Sequence, residues 1–519
     1  MTPHIGMMTP HIGAMTPHIK MMTGVIADVS PATGVFSVVT GAAPPTRHYA
    51  DSMSTPNRDS SAGRAGGTGL SAAEARVMAA IRARHAAMID DLTRWVAIPT
   101  GPRSFHSGPR AAERRSTPHE GLAELRSLLA TRLEWLGATG TLIAGDPRPA
   151  WIAPGGSEAG GSRDERGEKR GGGEFVEPTL LMDRIERGTN GDPSGGAGGT
   201  RVLLSGHLDT VHPVDGAFSS LTIDERGERA LGPGCVDMKG GLVVAVHALE
   251  ALEECGIRVP WAFVLNSDEE TGTFCSEAAI RAAARNADVG LAFEPAPQMR
   301  AMSDATWGLV THRPGSGQFR IDVKGKAAHV GRDFKSGVSA VTALARAILE
   351  ISGHADPDRG RIVSIGPITG GHATNVVPDS AFAWGNVRYT TPEAGEELRA
   401  ALLGLGRLGG TDGALPAITV HATLNRPAKP LNPRVEALSR LIMGAAAAIG
   451  EDLRPTTTGG VCDGNTMQAA GLATLDTLGV RGGGLHTTDE WIDLSSLVDR
   501  ATLIAVVLMR LNEGRLESA

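Results

Sequence analysis

Residues 201–266 read RVLLSGHLDTVHPVDGAFSSLTIDERGERALGPGCVDMKGGLVVAVHALEALEECGIRVPWAFVLN. VLLSG, from Val202, and WAFVLN, from Trp261, are short apolar runs of strand type, and GGLVVAVHALEAL between them has helical character. A third run, VGLAF, starts at Val289. Strands that are apolar along their whole length and separated by helices form a parallel sheet covered on both faces. Each run ends in a polar motif, at the sheet edge where open α/β folds bind their ligands. The stretch therefore predicts an α/β fold, a mostly parallel sheet sandwiched by helices.

Working outward, a helix is expected over Pro433–Ile449, an apolar run over Ala473–Leu478 and a final helix near Leu494–Leu511. Upstream, periodic structure begins at Ser71, an N-cap with Glu74 three residues on in a capping-box spacing. A helix over Gly121–Leu136 follows, then strands near Thr139–Ala144 and Glu177–Ile185. From Thr311 to Thr423 the order is strand, helix, strand, strand, helix, strand, the βαββαβ order of a ferredoxin-like unit. It implies a small domain at 311–424 inserted between two parts of a catalytic domain, 71–310 and 425–519. Residues 1–70 are expected to be a disordered extension and linker. They open with MTPHIGM, MTPHIGA and MTPHIKM, whose single Ile per unit cannot build a stacked core. Residues 154–173 and 188–200 are Gly-rich and aperiodic, so they are expected to be loops.

The chain has 519 residues, long enough for two or three domains. With 50 Lys+Arg against 57 Asp+Glu the net charge is -7, which removes the electrostatic case for a nucleic-acid partner. No apolar run reaches the ~18–20 residues of a membrane span. The four cysteines, Cys235, Cys255, Cys275 and Cys462, form no CxxC pair and no disulfide framework. Reduced thiols and a cytoplasmic setting are expected, with no secretory signal in the first residues.

Five segments carry the chemistry: SGHLDTVHP (His207, Asp209), GPGCVDMKGG (Asp237), NSDEETGT (Glu269, Glu270), LAFEP (Glu294) and GGGLHTTDEW (His486). Each lies just after an apolar run or in a Gly-rich turn. They supply imidazoles and carboxylates without thiolates, the donor set of a hydrolytic rather than a structural zinc site. Singly, each has a bland alternative. A histidine after a strand is often a satisfied structural residue, and an acidic pair such as Glu269–Glu270 is often a solvated loop. His247 reads as packing, Lys239 as a loop-placing residue, and HEGLA at His119 lacks the second histidine of a zincin motif.

The five segments in this order resemble the co-catalytic zinc hydrolases that include glutamate carboxypeptidase, acetylornithine deacetylase, succinyl-diaminopimelate desuccinylase and aminoacylase. The resemblance covers about residues 75–515. It implies two divalent metal ions bridged by Asp237, one held by His207 and Glu294 and the other by Glu270 and His486. Zn²⁺ is the expected metal, with Co²⁺ or Mn²⁺ as alternatives. Three carboxylates against two Zn²⁺ leave a charge of +1, which one hydroxide neutralises. Asp209 matches a carboxylate that orients His207, and Glu269 matches the general base. His212 does not fall on a ligand position.

The resemblance extends to the inserted domain. GKAAHVG makes His329 a candidate oxyanion donor that reaches the partner subunit's site, or else a surface-turn histidine. Asn375, in GGHATNVVPDSA, matches a residue near the substrate, although capping a turn is an equal use. Arg426, in LNRPAKP, resembles the arginine that clamps a substrate α-carboxylate. Arg388 is a second candidate for that task, with a structural ion pair as its alternative. A homodimer through the inserted domain is implied. Glu294 in place of Asp, together with Arg426, points to a small peptide or N-acyl amino acid with a free α-carboxylate. The alternatives are a biosynthetic deacetylase or desuccinylase and a catalytically silent binding protein. Cys462 stands where relatives often carry Ser or Thr and is not expected to be a nucleophile.

Overall fold

The computed structural model describes residues 69–103, 119–149, 151–152, 175–184, 199–299 and 306–516. The MTPHI repeats, nearly all of the expected extension and most of the two Gly-rich loops lie outside the described residues. The helical stretch after Ser71 is two helices, α1 (Ala72–Ala83) and α2 (His85–Ala97), broken at Arg84. The capping box forms as expected. Ser71 Oγ accepts from the Glu74 N–H at 3.1 Å, and Glu74 Oε2 accepts from the Ser71 N–H at 2.6 Å. Helix α3 (Glu120–Glu134) is capped by the ring of His119, whose Nδ1 accepts from the Leu122 N–H. His119 is thus a capping residue.

Strands β1 (Thr139–Ile143) and β2 (Thr179–Asp183) lead into β3 (Val202–His207). Two short strands, β4 (Thr222–Ile223) and β5 (Arg229–Leu231), precede helix α4 (Gly240–Glu254). Then come β6 (Trp261–Asn266), α5 (Glu277–Ala284), β7 (Val289–Ala292), β8 (Thr306–His312) and β9 (Gly315–Lys324). Next are α6 (Ala340–Ser352), β10 (Arg361–Gly370), β11 (Ser380–Tyr389), α7 (Pro392–Gly404) and β12 (Ala417–Arg426). The chain continues through α8 (Pro433–Ile449), β13 (Asp452–Thr457), α9 (Asp463–Ala469), β14 (Ala473–Leu475), β15 (Gly482–Gly483) and β16 (Trp491–Asp493). It closes with α10 (Ser495–Asn512).

The central sheet has the order β1-β2-β6-β3-β7-β14. Strands β6, β3, β7 and β14 run parallel, and β2 and β1 add antiparallel at one edge. Strands β3, β6 and β7 are buried along their whole length. That burial explains their unbroken apolar reading: both faces are covered, so no residue turns to water. Helices α4 and α10 pack together on this core and are buried over most of their residues.

A second, wholly antiparallel sheet has the order β10-β11-β9-β12. Helices α6 and α7 cover one of its faces over a core of its own, including Phe319, Ile321, Val387 and Leu398. Along β9 the residues alternate, with Phe319, Ile321 and Val323 buried and Gln318, Arg320 and Asp322 on the opposite, polar face. A four-stranded antiparallel sheet, β15-β16-β5-β4, was not foreseen; its strands of two or three residues are too short to show a period.

Candidate metal centre

His207 is the last residue of β3, at the carboxyl edge of the central sheet, and is 1% exposed. Its Nδ1 lies 2.9 Å from the backbone carbonyl of Asp209, so that nitrogen carries the proton. Its Nε2 faces Asp237 Oδ1, 3.2 Å away. On the other side, Asp237 Oδ2 and Glu270 Oε2 lie 3.5 and 3.3 Å from His486 Nε2. Donor atoms of His207, Asp237 and Glu270 all fall within 4.8 Å of one another.

The turn carrying His486 follows the left-handed Gly484, and His486 itself sits at φ 64°. Few residues other than glycine adopt that conformation, and such outliers gather at functional sites. Glu294 follows β7, whose end is gripped by two glycines. A Cβ at Gly241 or at Gly479 would stand 2.2 Å from the Phe293 carbonyl oxygen. Only glycine at both places lets α4 and the loop after β14 close on this backbone.

The electrostatics are those of a site that wants cations. Burial, and then repulsion from Asp237 and Glu269, raises the Glu294 carboxyl well above its usual range. Burial and Asp237 likewise lift Glu270 to about 7, against the pull of His486. Burial opposes the charge of His207, yet Asp209 and Asp237 raise it well above an ordinary histidine. Bonds to Asp237 and Glu270 push His486 to about 10. Glu270 Oε1 is buried and has no hydrogen-bond donor. Crowded carboxylates and imidazoles that must otherwise share protons make a donor set that divalent cations fit.

Asp209 stands behind this cluster. Its Oδ1 and Oδ2 accept from the N–H groups of Glu269 and Glu270 at 3.2 and 2.9 Å. Arg426 is 3% exposed and donates from Nη2 to Glu269 Oε1 and to the Glu269 carbonyl, both at 2.8 Å. Its Nη1 lies 3.5 Å from Asp463 Oδ1. Asp463 also takes Asn266 Nδ2 at 2.6 Å and Thr273 Oγ1 at 3.0 Å. Burial raises Asp463 to about 6 against the pull of Arg426.

Arg388 and Arg426 share one row of the second sheet. Ser316 of β9 pairs with Arg388 on β11 and with Arg426 on β12, the latter through a register shift between Thr423 and Arg426. That bulge turns Arg426 onto the polar face. Burial, and then the charge of Arg426, holds Arg388 below the usual guanidinium range, and its Nη1 is buried without an acceptor. His329 and Asn375 are exposed on neighbouring loops, where the Val330 N–H donates to the Asn375 carbonyl and the Gly331 N–H to His329 Nδ1. Among the described residues their hydrogen bonds are local.

Two other histidines, a lysine and a thiol take ordinary roles. His247 bonds Asp91 at 2.9 Å inside the core, Lys239 Nζ donates to the Ile98 carbonyl at 2.7 Å, and His212 pairs with Glu490. The Cys462 thiol is buried and its pKa is pushed well above the usual value, so it stays protonated. Asp463 and Glu490 were missed by sequence reading; each acts on residues roughly 40 to 280 positions away, and no local pattern announces that.

The sequence model of peptidase family M20/M25/M40 matches residues 203–510. The chain belongs to this family. It is 29% identical over 330 residues to carboxypeptidase G2 of Pseudomonas sp. (strain RS-16), covering 62% of this chain and 76% of that one. It is 26% identical over 339 residues to succinyl-diaminopimelate desuccinylase 2 of Shewanella loihica, covering 60% and 85%. Among solved structures, an M20 family metallo-carboxypeptidase from Sulfolobus solfataricus superposes with a TM-score of 0.57 at 14% identity, over 82% of this chain and 99% of that one, and shows the same fold. As a member of the M20 family the protein is a metal-dependent hydrolase of amide bonds. Among the described residues, no helix is long and apolar enough to cross a membrane.

Proposed function

We propose that this chain is a two-metal amide hydrolase of carboxypeptidase or N-acyl-amino-acid deacylase type, acting on substrates whose amine side carries a free α-carboxylate. One observation carries the reading: among the buried polar atoms left without partners, those of the candidate ligands and of the two arginines are of complementary kinds. Glu270 Oε1 is an acceptor that lacks a donor, beside Asp237 and His486; Arg388 Nη1 and Arg426 Nε are donors that lack an acceptor. The first asks for a cation and the other two for an anion.

His207, Asp237 and Glu294 would hold one ion, and Asp237, Glu270 and His486 the other. When bound, the ions supply the Lewis acidity that activates a water and polarises the scissile carbonyl. Oxygen and imidazole donors suit Zn²⁺, and also Co²⁺ or Mn²⁺. Glu269 takes the proton of the attacking water and delivers it to the leaving amine. The backbone carbonyl of Asp209 fixes the tautomer of His207, and its carboxylate, through two N–H groups, fixes the loop of Glu269 and Glu270. Arg426 and Arg388 receive the substrate carboxylate, with Asn375 beside it.

The likeness to carboxypeptidase G2 supports this branch. The likenesses to succinyl-diaminopimelate desuccinylase and to the acetylornithine deacetylase of Myxococcus xanthus favour a second reading, a biosynthetic deacylase. A silent binding protein would have no need of Glu269 beside a full donor set. We assign residues 311–424 as an inserted domain through which two chains pair, with His329 offered to the partner's site. Strand β10 supports this as an open sheet edge, bearing exposed Ile362 and Ile368, with Ile368 beside the exposed Val341 of α6. Four free cysteines support a cytoplasmic setting.

The test measures metal content and amide hydrolysis for wild type and E269A side by side. The panel holds N-acetylated amino acids, dipeptides ending in Glu, N-acetylornithine and N-succinyl-diaminopimelate. Two metals per chain in both proteins with turnover only in wild type supports the reading, and the substrate turned over chooses the branch. A wild type that binds no divalent metal overturns it.

A further inference from the structure

Glu490 lies four residues after His486 and is 1% exposed. Its carboxylate collects four donors. Oε1 accepts from the N–H groups of Val236 and Asp237 at 2.9 and 3.1 Å. Oε2 accepts from the N–H of Gly234 at 2.9 Å and from His212 Nε2 at 2.6 Å. Gly234 sits at φ 69°, and this left-handed turn aims the following N–H groups inward as a small anion-binding nest. Glu490 fills that nest from within the protein. The backbone follows, since the Gly232 N–H donates to the Glu490 carbonyl at 3.2 Å.

One carboxylate thereby joins three segments. The nest carries Asp237, His212 follows His207 by five residues, and Glu490 belongs to the turn of His486. We infer that Glu490 is a positioning residue for the metal centre, setting where the Asp237 carboxylate stands between His207 and His486. The inference rests on the metal-ligand reading above. A carboxylate is needed because all four of its partners are donors. An amide would turn an NH₂ group against at least one of them, and a shorter acid could not span both the nest and His212.

A purely structural role predicts lost stability alone, whereas positioning predicts lost metal affinity in a folded protein. The experiment is a competition titration of Zn²⁺ against a chromophoric chelator on metal-free wild type, E490Q and E490D, each first checked for native circular dichroism. E490D keeps the charge and is the fallback should E490Q not fold. The expected result is Zn²⁺ affinity lowered about 10- to 100-fold in either folded variant, the range for residues that orient metal ligands. Affinity within twofold of wild type in a folded variant overturns the inference. A wild type that takes up no Zn²⁺ overturns the metal-centre reading instead, so the two failures are distinct.

Discussion

Arg426 holds Glu269 by two atoms at once, its Nη2 standing 2.8 Å from the carboxylate Oε1 and 2.8 Å from the backbone carbonyl of the same residue. The proposed base is thereby fixed in place from the second sheet, and the guanidinium keeps Nε in reserve. In the proposed mechanism Arg426 would serve the base as well as the carboxylate that the sequence assigned to it. Arg426→Lys keeps the charge but cannot reach Glu269 and Asp463 together. The expected result is a lower kcat as well as a higher KM, and a fall in stability of about 1.5–3 kcal/mol from the lost charge-assisted hydrogen bonds. Steady-state kinetics with urea unfolding checks both. A variant that raises KM alone would leave Arg426 with the substrate and not the base.

Arg388 makes the cleaner test of substrate recognition. Its Nη1 is buried with no acceptor, and Arg426 repels it across the Ser316 row. Removing an uncompensated guanidinium should leave the fold as stable as before or more so. Losing a charge-assisted hydrogen bond is worth about 1.5–3 kcal/mol. Arg388→Ala is therefore expected to raise KM about 10- to 100-fold on a substrate with a free carboxylate, with kcat little changed. The matching carboxamide should be turned over alike by both proteins. Equal losses on acid and amide would mean that Arg388 does not read the carboxylate.

The site was legible where it is local and hidden where it is not. His207 closes an apolar run, and Glu270 and Glu294 follow one within four residues; a buried parallel strand must end at the sheet edge, so motif and place came together. The βαββαβ order was equally legible, because β9 alternates strictly between apolar and polar residues. The pairing of Arg388 with Arg426 depends on strand register and on a bulge, which the sequence of either strand alone does not carry. Asp463 and Glu490 are buried acids whose donors are mostly backbone or distant side chains, so they read as ordinary loop residues. The break at Arg84 was hidden as well, since helical spacing of apolar residues continues across it.

Away from the metal centre, Asp91 offers a pH test with a definite sign. It is 3% exposed and bonded to His247, Arg132 and Arg94. Burial works against its charge, but these partners hold its carboxyl far below the usual range. A depressed folded pKa gives stability that is in full force above the unfolded value of ~3.9 and fades as pH falls below it toward the folded value. Asp91→Asn is expected to be about 1.5–3 kcal/mol less stable than wild type at pH 7, because hydrogen bonds to charged partners are lost. Urea unfolding should show that gap unchanged down to about pH 5 and narrowing below pH 4. A gap that widens on acidification would contradict the assignment.

Gly241 tests how tightly the scaffold sets Glu294. It lies in the first turn of α4, and a Cβ there would meet the Phe293 carbonyl oxygen at 2.2 Å and Phe293 Cβ at 3.0 Å. Neither atom belongs to a flexible side-chain end, so the strand terminus or the helix must move. On helix propensity alone, Gly→Ala should stabilise by about 1 kcal/mol. Overpacking a core costs about 1–3 kcal/mol and here displaces the backbone that carries a proposed metal ligand. Gly241→Ala is therefore expected to lower stability despite its better propensity, and to weaken one of the two metal equivalents more than the other. Thermal unfolding of the metal-free protein reads the first effect and a two-site Zn²⁺ titration the second. If alanine raised the melting temperature and left both sites intact, α4 would have room to shift, and the close approach would not be what sets Glu294.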